Sequence, residues 1–155
     1  MNNLKGLLDD PISFSDNRGN LKILHELENF SLKRSFSKKN VFRGMHWQPE
    51  PYLQTKIIRV IQGEILDFIV DMSKKNKSIH HKMIKPEDDW QLIHPNFAHG
   101  FYSNEDTTFE YICIGAYSEE KEISFSIKEY LIANFEILNP EFSYKDKNNI
   151  PFSEI

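Results

Sequence analysis

The chain has 155 residues, with 19 lysines and arginines against 23 aspartates and glutamates, which gives a formal net charge of −4. This length suits one domain over residues 1–155, and a hydrophobic fraction of 39% with 12 phenylalanines excludes wholesale disorder. Mild acidity without a basic block argues against a nucleic-acid binder that works by neutralising phosphates. The one cysteine, Cys113, excludes an internal disulfide framework and any CxxC zinc or redox motif.

The hydrophobic runs are all short. Residues 1–14 contain no apolar run long enough for a signal peptide, and no run in the chain could span a bilayer. We therefore expect a soluble, cytoplasmic protein that does not act at a membrane.

In the first half of the chain, short runs rich in β-branched and aromatic residues alternate with turn residues. Strands are predicted over residues 21–24, 33–37, 42–48 and 56–61, with turns at 16–19, 38–40 and 49–51. The turn at residues 62–64 leads into a strand over residues 65–71. We expect the strands on either side of that turn to form a hairpin.

That strand alternates cleanly, because Leu66, Phe68 and Val70 fall on one face and both of its aspartates on the other. A further strand is predicted over residues 107–114, and residues 128–135 predict a short helix before an irregular tail over residues 139–155. Many short strands at this spacing predict an all-β fold, an antiparallel sandwich or barrel.

Six histidines are the first candidates for chemistry, and two stand in distinctive surroundings. His46 lies within residues 42–48 (FRGMHWQ), and His99 lies within residues 95–101 (PNFAHGF). An isolated histidine is more often structural or exposed than catalytic, so both interpretations stay open. A metal site in a small barrel typically uses a His-x-His pair, but Gln48 takes the position two after His46, and we expect no metal.

Two tyrosines and a lysine are further candidates. Tyr111 and Tyr117 are six positions apart on one predicted strand, which places both on one face. They form either an aromatic cross-strand pair or a site in which a phenol donates a proton. Lys56 begins a mostly apolar strand, and it is either an edge lysine with its charge in solvent or a cation directed at a developing oxyanion.

Taken together, these segments resemble one family. Residues 42–48, 54–60 (QTKIIRV) and 63–71 (GEILDFIVD) are similar to the signature of the dTDP-4-dehydrorhamnose 3,5-epimerase family, which acts on nucleotide-diphospho-4-keto-6-deoxy sugars. Residues 97–101 (FAHGF) resemble its second signature, residues 16–19 (DNRG) its N-terminal turn, and residues 143–146 (SYKD) with Pro151 its tail. The resemblance covers nearly the whole chain in the family's order.

The resemblance implies a cupin-type β-barrel or jelly-roll sandwich without metal or cofactor. It also implies a homodimer in which the N-terminal segment helps to complete the partner's site. The expected reaction epimerises carbon 3, carbon 5 or both in a sugar nucleotide that supplies cell-surface polysaccharide synthesis.

The resemblance also implies a role for each site residue. His46 would be the base beside the 4-keto group, Tyr117 the acid on the opposite face, and Lys56 the cation facing the enolate oxygen. His99 and Arg43 would line the sugar site, with Tyr111 on the same face as Tyr117. The remaining substrate-binding residues would be Gln48 and Arg59 near the sugar, and Arg18 at the nucleotide or phosphates, within the chain or across the dimer. Because strict alternation places Arg43 and His46 on opposite faces, a shared pocket requires a bulge, which Gly44 permits.

The chain also departs from the family. The family's tryptophan, with an aspartate soon after it that would pair with the catalytic histidine, is missing from residues 123–127 (ISFSI). We therefore expect Ser126, water or a backbone carbonyl to orient His46. The turn before Phe97 is one residue short, and Ile23 replaces an acid. A cupin keto-sugar isomerase, a sugar-nucleotide-binding cupin without turnover and, more distantly, a metal-dependent cupin are the alternative interpretations.

Overall fold

The computed structural model describes residues 11–155. Most of the stretch assessed for a signal peptide therefore lies outside the described residues, and so does most of the N-terminal segment expected to complete a partner's site. None of the helices among residues 11–155 is long and apolar enough to cross a membrane.

The described chain is built mainly of β-strands. In chain order they are β1 (Ile12–Asp16), β2 (Gly19–Leu27), β3 (Phe30–Ser37), β4 (Phe42–Trp47), β5 (Thr55–Gln62), β6 (Ile65–Asp71), β7 (Ile79–Ile84), β8 (Gln91–Ile93), β9 (Phe97–Ser103), β10 (Thr107–Ile114), β11 (Ile123–Ser126) and β12 (Ile150–Pro151). The one α-helix among residues 11–155, α1 (Lys128–Phe135), has the predicted bounds. Short 3₁₀ turns cover Glu119–Lys121, Asp146–Asn148 and Phe152–Glu154.

The strands form two sheets of six strands each. The first has the order β1-β2-β3-β10-β5-β8, and the second has the order β12-β11-β4-β9-β6-β7. All pairings are antiparallel except β11 with β12. This arrangement confirms the predicted all-β jelly-roll sandwich.

The predicted hairpin between β5 and β6 is wrong, because β5 belongs to the first sheet and β6 to the second. Ile58 and Ile65 are both buried and pack in one cluster between the sheets, so the two strands face each other across the core instead of pairing. The turn between them packs on the start of β10, where the Thr107 hydroxyl donates to the Glu64 carbonyl at 3.1 Å.

The second sheet is covered on its other side. Phe68, Phe125 and Leu131 belong to a second cluster, in which α1 and the C-terminal segment pack on β4, β6 and β11. The predicted alternation of residues 65–71 is confirmed, because Leu66, Phe68 and Val70 all lie in this second cluster. The tail over residues 139–155 is irregular as expected except for β12 and two 3₁₀ turns. It is fixed to the start of β4, where Phe42 N–H donates to the Glu141 carbonyl at 2.9 Å.

Candidate active site

A cavity of about 480 Å³ opens between the two sheets. Its lining carries more positive than negative side chains, and this excess favours an anionic ligand. The cations are Arg18, Lys33, Arg43, Lys56 and Lys145, and the carboxylates are Glu119, Glu122 and Asp146.

A bulge in β4 brings Arg43 and His46 to this cavity together. Arg43 pairs with Phe101 and His46 pairs with His99, so three steps along β4 match two steps along β9. Gly44, with φ of 113°, lies in this bulge, and a β-carbon on it would meet the Gly100 α-carbon at 2.6 Å. Only glycine fits there. The bulge expected at this glycine is confirmed.

The imidazole of His46 has a carboxylate partner. Nε2 of His46 lies 2.9 Å from Oδ1 of Asp146, whose side chain is 2% exposed. The expectation that Ser126, water or a backbone carbonyl orients His46 is therefore wrong. Ser126 Oγ instead accepts a hydrogen bond from the Lys128 N–H at 3.2 Å.

A short local motif places Asp146. The Asp146 N–H donates to Ser143 Oγ at 2.9 Å, and a 3₁₀ turn begins at the same residue. Both residues belong to the tail motif at positions 143–146, which was therefore the sequence signal for this carboxylate.

The electrostatics of this pair fix the state of the carboxylate. Burial alone raises the pKa of Asp146, but the hydrogen bond and charge of His46, the Ser143 contact and the Arg18 charge together hold that pKa below its ordinary value. An ionised Asp146 accepts a hydrogen bond, so Nε2 of His46 carries the proton and Nδ1 has a free lone pair. His46 is therefore arranged as a base.

Lys56 and Tyr111 line the cavity from two neighbouring strands of the first sheet, β5 and β10, and lie in adjacent rows. Lys56 on β5 lies opposite Cys113 on β10, and the next cavity-facing residue of β10 is Tyr111, opposite Ile58. Within residues 11–155, Lys56 has no carboxylate within ion-pair distance. Burial raises the pKa of the Tyr111 phenol, which therefore keeps its proton.

Tyr117 lines the same cavity but not from a strand. The expectation that it shares a strand with Tyr111 is wrong, because β10 ends at Ile114 and Gly115 follows with φ of 121°. Its side chain is 59% exposed, and burial followed by the charges of Glu122 and Glu119 raises the pKa of its phenol. Nζ of Lys33 lies 5.8 Å from the ring centroid of Tyr111 and 6.0 Å from that of Tyr117, within cation–π range.

His99 forms a second histidine–aspartate pair. Its Nε2 lies 2.6 Å from Oδ1 of Asp67 on the adjacent strand β6, and both residues are buried. Asp67 was recognised only as a residue on the face opposite Leu66. The alternation that faces it inward was the signal that it could pair with a cavity residue.

Two arginines line the cavity beside His46. Arg18 forms a salt bridge with Asp16 at 2.6 Å, and Nη1 of Arg18 lies 3.9 Å from Oδ2 of Asp146. Nε of Arg43 donates to Ser37 Oγ at 2.8 Å. Burial lowers the pKa of the Arg43 guanidinium, which nevertheless stays charged.

Two predicted site residues do not line this cavity. Arg59 points to the outer face of the first sheet, where it binds Glu110 at 2.8 Å and stacks on Trp90 at 4.5 Å. Its place in the sugar site is therefore wrong, because alternation along β5 directs Ile58 and Val60 inward and Arg59 outward. Gln48 is buried behind the cavity, where its amide binds backbone groups.

Within residues 11–155, no three histidine, cysteine, aspartate or glutamate side chains come together as a metal site. A two-sheet β-sandwich with a His–Asp pair, an ammonium group and a phenol around one cationic cavity is an enzyme of the cupin type built for proton transfer. Its sequence matches the profile of dTDP-4-dehydrorhamnose 3,5-epimerase over residues 7–154, and the chain belongs to that family. The predicted family and the predicted class of enzyme, a sugar-nucleotide epimerase, are confirmed.

Individual relatives match over most of their length. The chain is 34% identical to the dTDP-4-dehydrorhamnose 3,5-epimerase of Shigella flexneri, over 94% of this chain and 90% of that protein. A Bacillus anthracis dTDP-4-dehydrorhamnose 3,5-epimerase solved with TDP and PPi superposes with a TM-score of 0.70 at 28% identity, covering 92% and 91% of the two chains. A Legionella pneumophila 3,5-epimerase in complex with dTDP-4-keto-L-rhamnose gives 0.69 at 26% identity, covering 94% and 86%.

Proposed function

We propose that this chain epimerises a dTDP-4-keto-6-deoxy hexose at carbons 3 and 5, the positions beside the ketone. The observation that carries the proposal is the His46–Asp146 pair, which faces a cavity that also holds Lys56 and Tyr117. The product would supply cell-surface polysaccharide synthesis, and a cytoplasmic location is part of the same proposal.

The proposed reaction begins with removal of a proton from the carbon beside the ketone. Nδ1 of His46 takes the proton, the C–H electron pair forms a carbon–carbon double bond, and the carbonyl oxygen becomes an enolate oxyanion. The ammonium of Lys56 stabilises that negative charge. Tyr117 then donates its phenolic proton to the opposite face of the carbon, which inverts the centre, and solvent restores both groups.

The proposed ligand carries a diphosphate, and the cavity supplies cations for it. We assign Arg18 and Arg43 to the phosphates because planar guanidinium groups bind such oxygens in pairs. His99 and Tyr111 then border the sugar. Support for a thymidine nucleotide comes from the relatives crystallised with TDP or with dTDP-4-keto-L-rhamnose.

The alternative without turnover was based on a missing partner for His46. The contact between His46 and Asp146 removes that ground. A keto-sugar isomerase begins with the same enolisation, so the structure of the product separates it from an epimerase. Inversion with the carbonyl still at carbon 4 is the result that we expect by NMR.

The test of the proposed function is solvent exchange. Incubation with dTDP-4-keto-6-deoxyglucose in D₂O should place deuterium at carbons 3 and 5, and His46→Ala should abolish this exchange. Asp88→Asn is the control for a substitution distant from the cavity, since among residues 11–155 the Asp88 carboxylate accepts a hydrogen bond only from the backbone N–H of Lys85, at 2.9 Å. Exchange that persists in His46→Ala would remove His46 from the role of base.

We also propose that the protein is a homodimer whose subunits meet at the outer face of the first sheet. On that face Leu92, Ile57, Ile112 and Leu32 form an apolar row across four strands. Helix α1 packs on the other sheet, and no helix among residues 11–155 covers this row. Six strands with a spacing of about 4.8 Å and a rise of about 3.3 Å per residue give this face an area of about 650 Å², near the roughly 800 Å² per partner of a standard interface.

Light scattering after gel filtration tests the dimer. The wild-type particle should have twice the chain mass of 18.3 kDa. Substituting the exposed residues Leu92→Glu and Ile114→Glu together should give the mass of one chain. Ile132→Glu, an exposed position on α1, is the matched control and should leave the dimer intact. A single-chain mass for the wild type would refute the proposal.

A further inference from the structure

The backbone on both sides of Tyr117 is bound by one buried amide. Gln48, 5% exposed, follows the last residue of β4. Its Oε1 accepts a hydrogen bond from the Ser118 N–H at 2.7 Å, and its Nε2 donates to the Ala116 carbonyl at 3.2 Å. Nε2 also donates to the Tyr52 carbonyl at 2.9 Å, so both amide protons are used.

These bonds hold the residues on either side of Tyr117 in the segment that carries it, whereas Gly115, nearer to β10, bonds the Asn29 carbonyl and the Gln54 amide. The segment runs from the end of β10 at Ile114 to the 3₁₀ turn that begins at Glu119, and it pairs with no strand among residues 11–155. Within those residues, the Tyr117 hydroxyl itself has no hydrogen-bond partner, and the side chain is mostly exposed. Apart from the cation–π approach of Lys33, the position of the phenol is therefore determined by its own backbone.

The same short stretch of β4 carries the base. His46 lies two residues before Gln48, with its imidazole bound to Asp146. The base and the acid are thus connected by the chain from His46 to Gln48 and by the hydrogen bonds of Gln48 to the peptide groups around Tyr117. A buried amide with all of its protons committed holds one geometry, because any movement leaves a backbone group unpaired.

We infer that Gln48 is the positioning residue for the proton donor: it fixes Tyr117 relative to His46 and is required for inversion but not for proton abstraction. This inference rests on the proposed epimerase function and gives Gln48 a different role from the predicted one in sugar binding. Gln48 therefore affects the second half of the reaction, in which Tyr117 reprotonates the carbon. When Tyr117 is displaced, the enolate is reprotonated by His46 on the original face, so solvent hydrogen enters the substrate without inversion.

The experiment separates the two half-reactions in Gln48→Met, which keeps the side-chain length and removes the amide. We expect epimerisation to fall about 100-fold, as misplaced catalytic groups do, while deuterium exchange beside the ketone stays within about threefold of wild type. Tyr117→Phe should show the same separation. The double variant should be no slower than Tyr117→Phe alone, because both changes remove one step.

Two further variants keep the inference testable. Gln48→Glu retains the acceptor for the Ser118 N–H but loses both amide donors, so its epimerisation should fall below wild type while its deuterium exchange is retained. This variant tests the same separation if the methionine variant does not fold. Gln91→Met controls for the loss of a glutamine amide elsewhere, since the Gln91 amide bonds only Lys82 and the Asp89 carbonyl among residues 11–155. Equal losses of exchange and inversion in the Gln48 variants, or additive losses in the double variant, would overturn the inference. Absence of exchange in the wild type would instead overturn the proposed function.

Discussion

Nε2 of His46 lies 2.9 Å from Oδ1 of Asp146, although the two residues are 100 positions apart in the chain. The aspartate comes from the irregular C-terminal segment, which is fixed beside the first residue of β4 by the bond between Phe42 N–H and the Glu141 carbonyl. The orientation of the proposed base therefore depends on the packing of the C-terminal segment.

Replacing the carboxylate should slow the proposed reaction at its first step. In Asp146→Asn the amide can donate to the imidazole, so the proton on Nε2 is no longer favoured and Nδ1 loses its free lone pair. We expect kcat/KM to fall by about 10²- to 10⁴-fold, the range for loss of a carboxylate that orients a catalytic histidine.

Solvent exchange distinguishes this effect from a defect in inversion. Asp146→Asn should lose deuterium exchange and epimerisation together, in contrast to the Gln48 variants. Asp88→Asn, which removes a carboxylate outside the cavity, should behave as wild type. Wild-type exchange in Asp146→Asn would show that His46 does not need this partner.

The pairing of His46 with Asp146 also shows what sequence reasoning can and cannot supply. The strand pattern predicted a sandwich, and the glycine in the middle of residues 42–48 predicted the bulge that brings Arg43 and His46 together. Both features could be predicted because they depend on local sequence: short strands and turn residues for the sandwich, and one glycine within a strand for the bulge. The resemblance predicts a carboxylate partner for His46 among residues 123–127, near the expected tryptophan. The actual partner, Asp146, is 100 residues from His46, and this contact depends on how the tail packs.

The other errors have the same origin. The hairpin across Gly63 was predicted from adjacency in the chain, but burial of Ile58 and Ile65 in one core requires the two strands to face each other from different sheets. Tyr117 was assigned to a strand that Gly115 ends. Arg59 was placed in the site by resemblance, although the alternation of β5 itself assigns it to the outer face.

The stability of the protein should depend on the ionisation of Asp146. Burial opposes the charge, but His46, Ser143 and Arg18 outweigh it, so the folded-state pKa of Asp146 lies below the unfolded value of about 3.9. A group of this kind stabilises the fold above the unfolded pKa, and the contribution disappears as the pH falls through the folded pKa.

Urea unfolding from pH 7 to pH 3 measures this contribution. The difference in free energy of unfolding between wild type and Asp146→Asn should shrink as the pH falls from about 5 to 3. A difference that stays constant down to pH 3, or grows, would contradict the assigned direction of the shift.

Lys56 should matter for turnover more than for binding. Its ammonium has no carboxylate within ion-pair distance among residues 11–155 and faces the cavity, so it is available to a developing oxyanion. We expect Lys56→Met to lower kcat by about 10²- to 10³-fold, as loss of one oxyanion donor does, while dTDP affinity measured by calorimetry stays within about threefold. Arg43→Met is the contrasting variant and should mainly weaken dTDP binding. Equal losses of affinity in both variants would argue that Lys56 binds phosphate.

Gly44 should tolerate no side chain. Its φ of 113° is unfavourable for other residues, and a β-carbon would lie 2.6 Å from the Gly100 α-carbon and 2.7 Å from the His99 carbonyl oxygen. Gly44→Ala should therefore lower the free energy of unfolding by about 3 kcal/mol or more in urea titrations. Met45→Leu, a volume-conserving change at the buried neighbouring position, should cost less than about 1.5 kcal/mol. Similar costs for the two variants would contradict the proposed clash.

The alkaline limit of activity should report the protonation of Tyr117. Burial and the charges of Glu122 and Glu119 raise the pKa of this phenol above its ordinary value of about 10, and a proton donor is competent only below its pKa. Epimerisation should therefore persist to pH 10 and decline above it. In Glu122→Gln a negative charge that raises the pKa of this phenol is lost.

Loss of this negative charge favours the phenolate, so the alkaline limb should move to lower pH in Glu122→Gln. Glu120→Gln, at an exposed position in the 3₁₀ turn just before Glu122, should leave the limb in place. Far-ultraviolet circular dichroism at each pH separates loss of the donor from loss of the fold. A limb that does not move in Glu122→Gln, with the fold intact, would mean that a group other than Tyr117 sets the alkaline limit.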